Sequence, residues 1–402
     1  MDLYAGLPYW LIKNPLFNSE HALKENINID VAIIGSGITG ALVAHELCSH
    51  GIECAVIDKR PLCTGSSAAS TAQLQYEIDI PLYQLLKKIS EQTAVTAYQS
   101  SLQSIKDIQA VFQQTKLDAE FERKPTLYLA SDKKGLKEIE KEYKVRKQYD
   151  LPVEFLDHTL LQSEYSIDKP GALRNYESAQ MDAYKSAILL LDYHRKHNDL
   201  KLYPYTPVTS YTQNSNGYEL STEQGHTIHC KYLVIAAGYE AGKFLPKKIM
   251  DLLSTYALVS EPVPKEALWK DECLIWETAR PYFYMRTTRD NRIMLGGEDI
   301  KFKNENLRDA LLDRKTNNLI SNFEKLFPDK KIKVDMSWCG TFSATKDGLP
   351  YIGEYPGMKQ MYFALGYGGN GITFSMIAAQ IIRKKIKGQS DSREMVFGFD
   401  RK

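Results

Sequence analysis

Three glycines, Gly35, Gly37 and Gly40, stand in the spacing Gly-x-Gly-x-x-Gly within Val31-Ala-Ile-Ile-Gly-Ser-Gly-Ile-Thr-Gly40. This turn restricts the fold more than any other feature. Asp30 to Gly35 is a short apolar run ending on glycine, and Ile38, Ala41, Leu42 and Leu47 then recur at helical spacing. A second apolar run, Glu53 to Ile57, follows Gly51 and ends at Asp58, 18 residues beyond Gly40. Strand, glycine turn, helix, strand and acidic residue in this order predict a parallel βαβ unit that holds a dinucleotide. Gly35 permits the sharp turn, Gly37 lets the backbone approach a pyrophosphate, and Gly40 allows close packing of helix on strand. Asp58 accepts hydrogen bonds from a ribose hydroxyl.

The 402-residue chain is long enough for two domains. Its 51 basic and 50 acidic side chains leave a formal charge of +1, so no nucleic-acid partner is expected. The basic run Arg383-Lys-Lys-Ile-Lys387 closes a helical pattern before Gly388, where cations suit a helix C-terminus. Six cysteines form no C-x-x-C pair and no metal-like cluster with the eight histidines, so they read as reduced thiols. His226 and His229 lack further metal partners. No apolar stretch reaches the length of a membrane span, and the N-terminal residues lack the pattern of a secretory leader. A cytoplasmic protein without a membrane span is the expectation.

Leu82 to Phe112 has helical periodicity, and Lys124 to Ala130 has strand character. A helix from about Ala183 to Arg195 precedes short strands over Leu200 to Tyr205, Val208 to Thr212, Tyr218 to Thr222, Thr227 to His229 and Tyr232 to Ala236. From Ser254 to about Val334 come further strand-like stretches, including Thr255 to Val259, Tyr282 to Arg286 and Arg292 to Leu295. There is no second Gly-x-Gly-x-x-Gly and no internal repeat.

Three other motifs suit ligand contact. Thr64-Gly-Ser-Ser-Ala-Ala-Ser-Thr71 offers hydroxyl and backbone N–H donors to phosphate oxygens. The strand Tyr232 to Ala236 stops on the small residues Ala237 and Gly238. Four glycines among Gly366 to Gly371 precede a helix from about Ser375 to Lys387, making a second anion- or carbonyl-binding helix N-terminus. A nucleotide touched from both ends of the chain is a long one, its reactive ring far from its adenine.

The Gly35 turn with Asp58, the hydroxyl-rich loop, Ala236-Ala-Gly238, Asp347-Gly-Leu-Pro350 and Gly366 to Gly371 together resemble the D-amino-acid oxidase family of FAD-dependent oxidoreductases. The resemblance implies an α/β protein, α+β overall. A discontinuous Rossmann-like FAD-binding domain over 1–80, 165–250 and 335–402 would join a substrate domain over 81–164 and 251–334, built on a large antiparallel or mixed sheet. It further implies that Gly35, Ser36, Gly37, Ile38, Thr39 and Gly40 cradle the pyrophosphate, with Asp58, Lys59 and Arg60 around the adenosine and Val208 at the adenine. Ser66, Ser67, Ser70, Thr71 and Ala72 would run along the phosphates toward the flavin, near Ala237 and Gly238. Gly340, Asp347, Leu349, Gly368, Gly369, Asn370, Gly371, Ile372 and Thr373 would meet the isoalloxazine and ribityl groups.

The implied chemistry is hydride transfer from an amine or amino acid to flavin N5, giving an imine that hydrolyses. Oxygen, a quinone or a dye would then reoxidise a non-covalently held FAD. The chain departs from the family at three places. Phe342 occupies the position of a carboxylate-gripping arginine, Met294 stands where an oxygen-activating lysine precedes a Leu-Gly pair, and Cys339 lies one residue from the place of a covalent flavin attachment. For the substrate, alternation puts Tyr282, Tyr284 and Arg286 on one strand face. Arg286 suits a carboxylate, Glu277 an ammonium group, and Tyr367, Gln75 and Tyr76 are further pocket candidates. The alternatives are an FAD-dependent dehydrogenase of 2-hydroxy acids or polyol phosphates, and a non-enzymatic FAD-bound scaffold.

Overall fold

The computed structural model describes residues 2–17 and 20–401, which two β-sheets organise. In the first, Ile27–Ile34 lies between Cys54–Ile57 and Thr227–Ile235, all parallel, and Lys201–Tyr203 and Met361–Leu365 extend it in the same sense. Tyr351–Glu354 closes one edge antiparallel, and the hairpin of Val208–Asn214 and Gly217–Thr222 joins Thr227–Ile235. A parallel sheet covered on both faces selects unbroken apolar runs, and Val31, Ala32, Ile33 and Cys54 to Ile57 are accordingly all buried.

The larger sheet runs in the order Tyr4–Gly6, Val334–Ala344, Asp251–Ser260, Ile293–Lys301, Phe283–Thr287, Leu274–Glu277, Glu122–Leu129, Gly171–Gln180, Gln73–Leu74, with Glu154–Asp157 beside Gly171–Gln180. Its pairs are antiparallel except that of Leu274–Glu277 with Glu122–Leu129. The mixed α/β architecture is the one the motifs imply. Segments 1–80, 165–250 and 335–402 supply the whole first sheet and also send Tyr4–Gly6, Gln73–Leu74, Gly171–Gln180 and most of Val334–Ala344 into the larger one.

Helix Ile38–Cys48 is buried on every side, between Ala183–His197 and Gly371–Ile386, and Glu91–Thr115 packs on the latter. The predicted helix over 82–112 is two elements, Leu82–Leu85 and Glu91–Thr115, because the Ser90 hydroxyl accepts a hydrogen bond from the Thr93 N–H and starts a new helix. The two strands expected over 227–236 are one, Thr227–Ile235, held by its parallel register with Ile27–Ile34 across the polar residues His229 and Lys231. The C-terminal helix begins at Gly371, four residues before the predicted start, since glycine is tolerated in a first turn. All six cysteines are buried and unpaired. Among the described residues no helix is long and apolar enough to cross a membrane.

Candidate cofactor and substrate site

Gly35 has φ of 110°, and its N–H donates to the Ile57 carbonyl at 2.8 Å. The glycine turn is thus tied to the neighbouring strand in a conformation that favours glycine. A Cβ on Gly40 would sit 1.9 Å from the Gly35 carbonyl oxygen, so only glycine lets the helix settle on its own turn. The Asp58 carboxylate accepts from the Ser36 N–H at 2.9 Å and the Ser36 hydroxyl at 2.7 Å, and the Arg60 N–H donates to its other oxygen at 2.9 Å. Asp58 therefore braces the turn as well as facing the cavity beside it. Lys59 and Arg60 both pair with Glu240, at 2.7 and 2.9 Å. Burial opposes the Glu240 charge, but the two cations prevail and hold its carboxyl below the ordinary range.

The hydroxyl-rich loop forms a short helical turn, Ser66–Ala69, clamped by two indoles: Trp10 donates to the Ser70 carbonyl at 2.6 Å and Trp338 to the Ala69 carbonyl at 2.8 Å. Ser67 accepts from the Ile38 N–H at 2.8 Å, joining this loop to the first glycine turn. The C-terminal glycine loop is fixed to the segment after Gln73–Leu74. Gly369 N–H donates to Asp79 at 2.8 Å, and the Asn370 amide donates to the Glu77 carbonyl at 2.7 Å. Thr39 and Ser375 hydroxyls lie 2.8 Å apart. Helices Ile38–Cys48 and Gly371–Ile386 therefore bring their N-termini together, and the first-turn N–H groups of both are without helical acceptors.

Two cavity compartments meet at these helix ends. The first, about 530 Å³, is lined by Gly35, Gly37, Ile38, Thr39, Asp58, Lys59, Arg60, Ser67, Val208, Ala237, Gly238 and Tyr367. The second, about 360 Å³, is lined by Thr71, Ala72, Gln75, Tyr282, Tyr284, Gly340, Phe342, Gly368, Gly369 and Asn370. Leu3, Ser66, Ser70, Tyr239, Gly371 and Ile372 border both. A long dinucleotide fits: a Cβ on Gly371 would meet no atom within 4 Å, leaving the helix end open to the cavity, and the buried Ser66 hydroxyl at the junction has no hydrogen-bond partner. The second helix N-terminus suits the electron-rich carbonyls of a ring system as the first suits a pyrophosphate.

Several expected contacts lie behind the cavity wall. Ser36 is fully buried with its hydroxyl on Asp58, and Gly40 faces Gly35. Asp347 is held by Arg401 at 2.7 Å, Leu349 is core, and the Thr373 hydroxyl donates to the Asn370 carbonyl at 3.0 Å. These five shape the site without bordering it.

Among the substrate candidates, Arg286 is a correction. It is 2% exposed, and its guanidinium donates to the carbonyls of Thr71, Ala72, Met181 and Thr287. Burial drives its pKa down to about 10, and the side chain is consumed in holding the Thr71–Ala72 turn. Glu277 is a second correction: it points to Ser131 at 3.0 Å and Lys169 at 3.4 Å, away from the second compartment. Tyr367 borders the first compartment rather than the second. Tyr76 is core, with its hydroxyl on the Pro152 carbonyl. Tyr282 and Tyr284 do border the second compartment. The Tyr284 ring lies over Gly296, where a Cβ would come within 2.3 Å of it, and the Tyr282 hydroxyl donates to the Asp79 carbonyl at 2.9 Å. Burial raises the Tyr284 phenol to about 12, so it stays a neutral donor.

Met294 is buried in the core, paired across strands with Val259 and Arg286. The Cys339 thiol contacts Asp309 at 3.4 Å and points to the side of its strand opposite the cavity that Gly340 borders. Residues that sequence reasoning missed include Leu3, Glu77, Asp79, Thr255 and Asp299. The Gly296-Gly297 pair before Glu298-Asp299 was the available signal, since paired glycines in a strand mark a close approach.

The family model described as FAD dependent oxidoreductase matches residues 30–384. The chain is 25% identical over 381 residues to gamma-glutamylputrescine oxidoreductase of Escherichia coli strain K12, covering 92% of this chain and 86% of that protein. It is 26% identical to glycine oxidase of Geobacillus kaustophilus, covering 89% and 93%. The crystal structure of that glycine oxidase superposes with a TM-score of 0.79 at 22% identity, over 93% of this chain and 99% of the other. L-proline dehydrogenase from P. horikoshii superposes with a TM-score of 0.77 at 18% identity, over 94% and 97%. With both helix ends and both glycine loops converging on one elongated cavity, the chain belongs to the family of FAD-dependent oxidoreductases, and FAD is its cofactor.

Proposed function

We propose that the protein oxidises the C–N bond of an amine or amino acid to an imine, which water hydrolyses to a carbonyl compound and ammonia or a smaller amine. The observation that carries this reading is the second compartment, closed by Tyr239, Tyr282, Tyr284, Trp276 and Phe342, which opens onto the first at Ser66, Ser70 and Gly371. The relatives that act on gamma-glutamylputrescine, glycine and proline support it. Bound FAD supplies a hydride acceptor. Gly340 and the Gly368–Ile372 loop would hold its ring, while the aromatic walls would orient the substrate C–H bond and their apolar surface would exclude water. In that desolvated setting the reacting amine is favoured in its neutral form, so its departing proton passes to solvent before the C–H bond breaks.

On this reading residues 1–80, 165–250 and 335–402 hold FAD and residues 81–164 and 251–334 the substrate. The cofactor is held without a covalent bond, in keeping with the orientation of Cys339. A phosphate-bearing substrate is disfavoured, because among the described residues lining the second compartment there is no Lys, Arg or His to meet its two charges. Turnover with amines, followed by detection of the carbonyl product and ammonia, tests the reaction. Running it with oxygen and with a quinone-like dye identifies the acceptor. Formation of a keto acid from a 2-hydroxy acid without any imine-derived product would overturn the assignment.

A further inference from the structure

The charge in the second compartment is of one sign. Glu77, Asp79 and Asp299 line it, and no cationic side chain does among the described residues. Each nearby cation is already engaged. Arg146 is buried between Glu77 at 2.9 Å and Glu142 at 2.7 Å, and Lys315 pairs with Glu298 at 2.9 Å. Arg280 stacks on the Tyr282 ring, 3.2 Å from its centroid. Asp79 receives the Gly369 N–H, and Glu77 receives Arg146 and Asn175.

Asp299 Oδ1, like Glu77 Oε2, is buried and has no hydrogen-bond partner, but Glu77 is ion-paired with Arg146 whereas Asp299 makes no ion pair among the described residues. A buried carboxylate oxygen without a partner is costly unless a ligand brings it a donor. Desolvation raises the Asp299 carboxyl to about 6, against a Thr255 hydrogen bond and the more distant charges of Arg280 and Lys315 and with the help of the Asp79 charge, so it is largely ionised at neutral pH with no cation in contact among the described residues. The surrounding rings of Trp276, Tyr282 and Tyr284 add π faces that attract cations.

Resting on the amine-oxidation reading, we infer that Asp299 anchors a second, non-reacting ammonium group of the substrate, so that the enzyme selects diamines over amines bearing a carboxylate. The reacting nitrogen sits toward Gly340 and Ile372, where the wall is apolar, and the distal nitrogen reaches Asp299. Phe342 lines the same compartment and offers no partner to a carboxylate.

The test uses the FAD-loaded enzyme and anaerobic flavin reduction by 1,4-diaminobutane, n-butylamine and 4-aminobutyrate. These share a carbon chain length and differ in the distal group. The diamine is expected to half-saturate at a concentration at least about tenfold below butylamine, with 4-aminobutyrate weakest. In Asp299→Asn the diamine-to-monoamine ratio should fall to near unity, and Phe342→Arg should move the preference toward 4-aminobutyrate. Tryptophan fluorescence, taken as the part lost in Trp276→Phe because the chain has four tryptophans, gives a readout independent of turnover: tetramethylammonium, which the enzyme does not oxidise, should perturb it in the wild type and not in Asp299→Asn. A wild type that prefers 4-aminobutyrate overturns the inference. So does an Asp299→Asn enzyme that slows both amines equally and keeps their ratio, as loss of a general base would. In both cases amine oxidation itself stands. If no amine reduces the flavin yet tetramethylammonium binds through Asp299, the anchor stands and the proposed reaction fails. Should Asp299→Asn not fold, the wild-type charge series and Phe342→Arg decide the matter alone.

Discussion

Two glycines that look alike in the sequence have opposite physical reasons for being glycine. At Gly40 a Cβ would strike the Gly35 carbonyl at 1.9 Å, whereas at Gly371 it would enter open cavity. Gly40→Ala should therefore destabilise the apoprotein by about 3 kcal/mol or more, read as a fall in the urea midpoint. Gly371→Ala should leave apoprotein stability nearly unchanged and weaken FAD binding about tenfold, read by flavin titration. Asp299 gives a pH-dependent prediction. Its folded pKa, about 6 from burial, lies above the ordinary 3.8, so the ionised group costs stability at high pH and the cost disappears as both states become protonated. Asp299→Asn should raise apoprotein stability by up to about 3 kcal/mol above pH 7, with the gain shrinking toward zero between about pH 6 and pH 4. The glycines were legible because turn geometry and pyrophosphate contact impose a fixed spacing. Asp299 was not, because an acidic pair near a strand end has the pattern of a solvated edge. Arg286 was misjudged for a related reason: alternation gives a face, and the four carbonyls that claim its guanidinium come from segments distant in sequence.

Helix Lys133–Gln148 is fastened by one buried charge network. Arg146 bridges Glu77 and Glu142, and Glu142 in turn accepts the N–H groups of Leu82 and Tyr83 at the start of Leu82–Leu85. Removing the cation leaves two desolvated carboxylates, so Arg146→Ala should cost about 3–5 kcal/mol by denaturant unfolding. It should also loosen the Gln75–Asp79 segment that anchors the C-terminal glycine loop, seen as faster amide exchange there. A helix this rich in lysine and glutamate has the pattern of a solvated face, and Lys133 and Lys137 are exposed, but Glu142 and Arg146 are interior. Helical periodicity likewise ran through Ser90, because apolar spacing is nearly continuous across it and the break is made by a single hydroxyl cap. Thr227–Ile235 was split in prediction at polar residues that the parallel register simply passes through.

Across the whole molecule, residues from opposite ends of the sequence close one cavity: Gly35 and Asp58 on one side, Gly340 and Gly371 on the other. A ligand that touches both ends of a chain stabilises it by mass action. At an FAD concentration about 100 times its dissociation constant, the gain should be about 2.7 kcal/mol, a rise in Tm of several degrees that follows the logarithm of FAD concentration. The first sheet was legible in sequence because parallel, doubly covered strands are unbroken apolar runs beside glycine punctuation. The larger sheet was visible only as strand-like stretches. Its order, with Tyr4–Gly6 beside Val334–Ala344 and Glu122–Leu129 beside Leu274–Glu277, joins segments that local pattern cannot connect.

If the cavity holds FAD next to an amine, the flavin itself reports the reaction. Absorbance of the purified, FAD-reconstituted protein, recorded anaerobically before and after an amine is added, tests it most directly. One flavin per chain is expected, with its visible bands bleached by amines. A protein that takes up no FAD, or whose bound flavin no amine or amino acid bleaches, would contradict it.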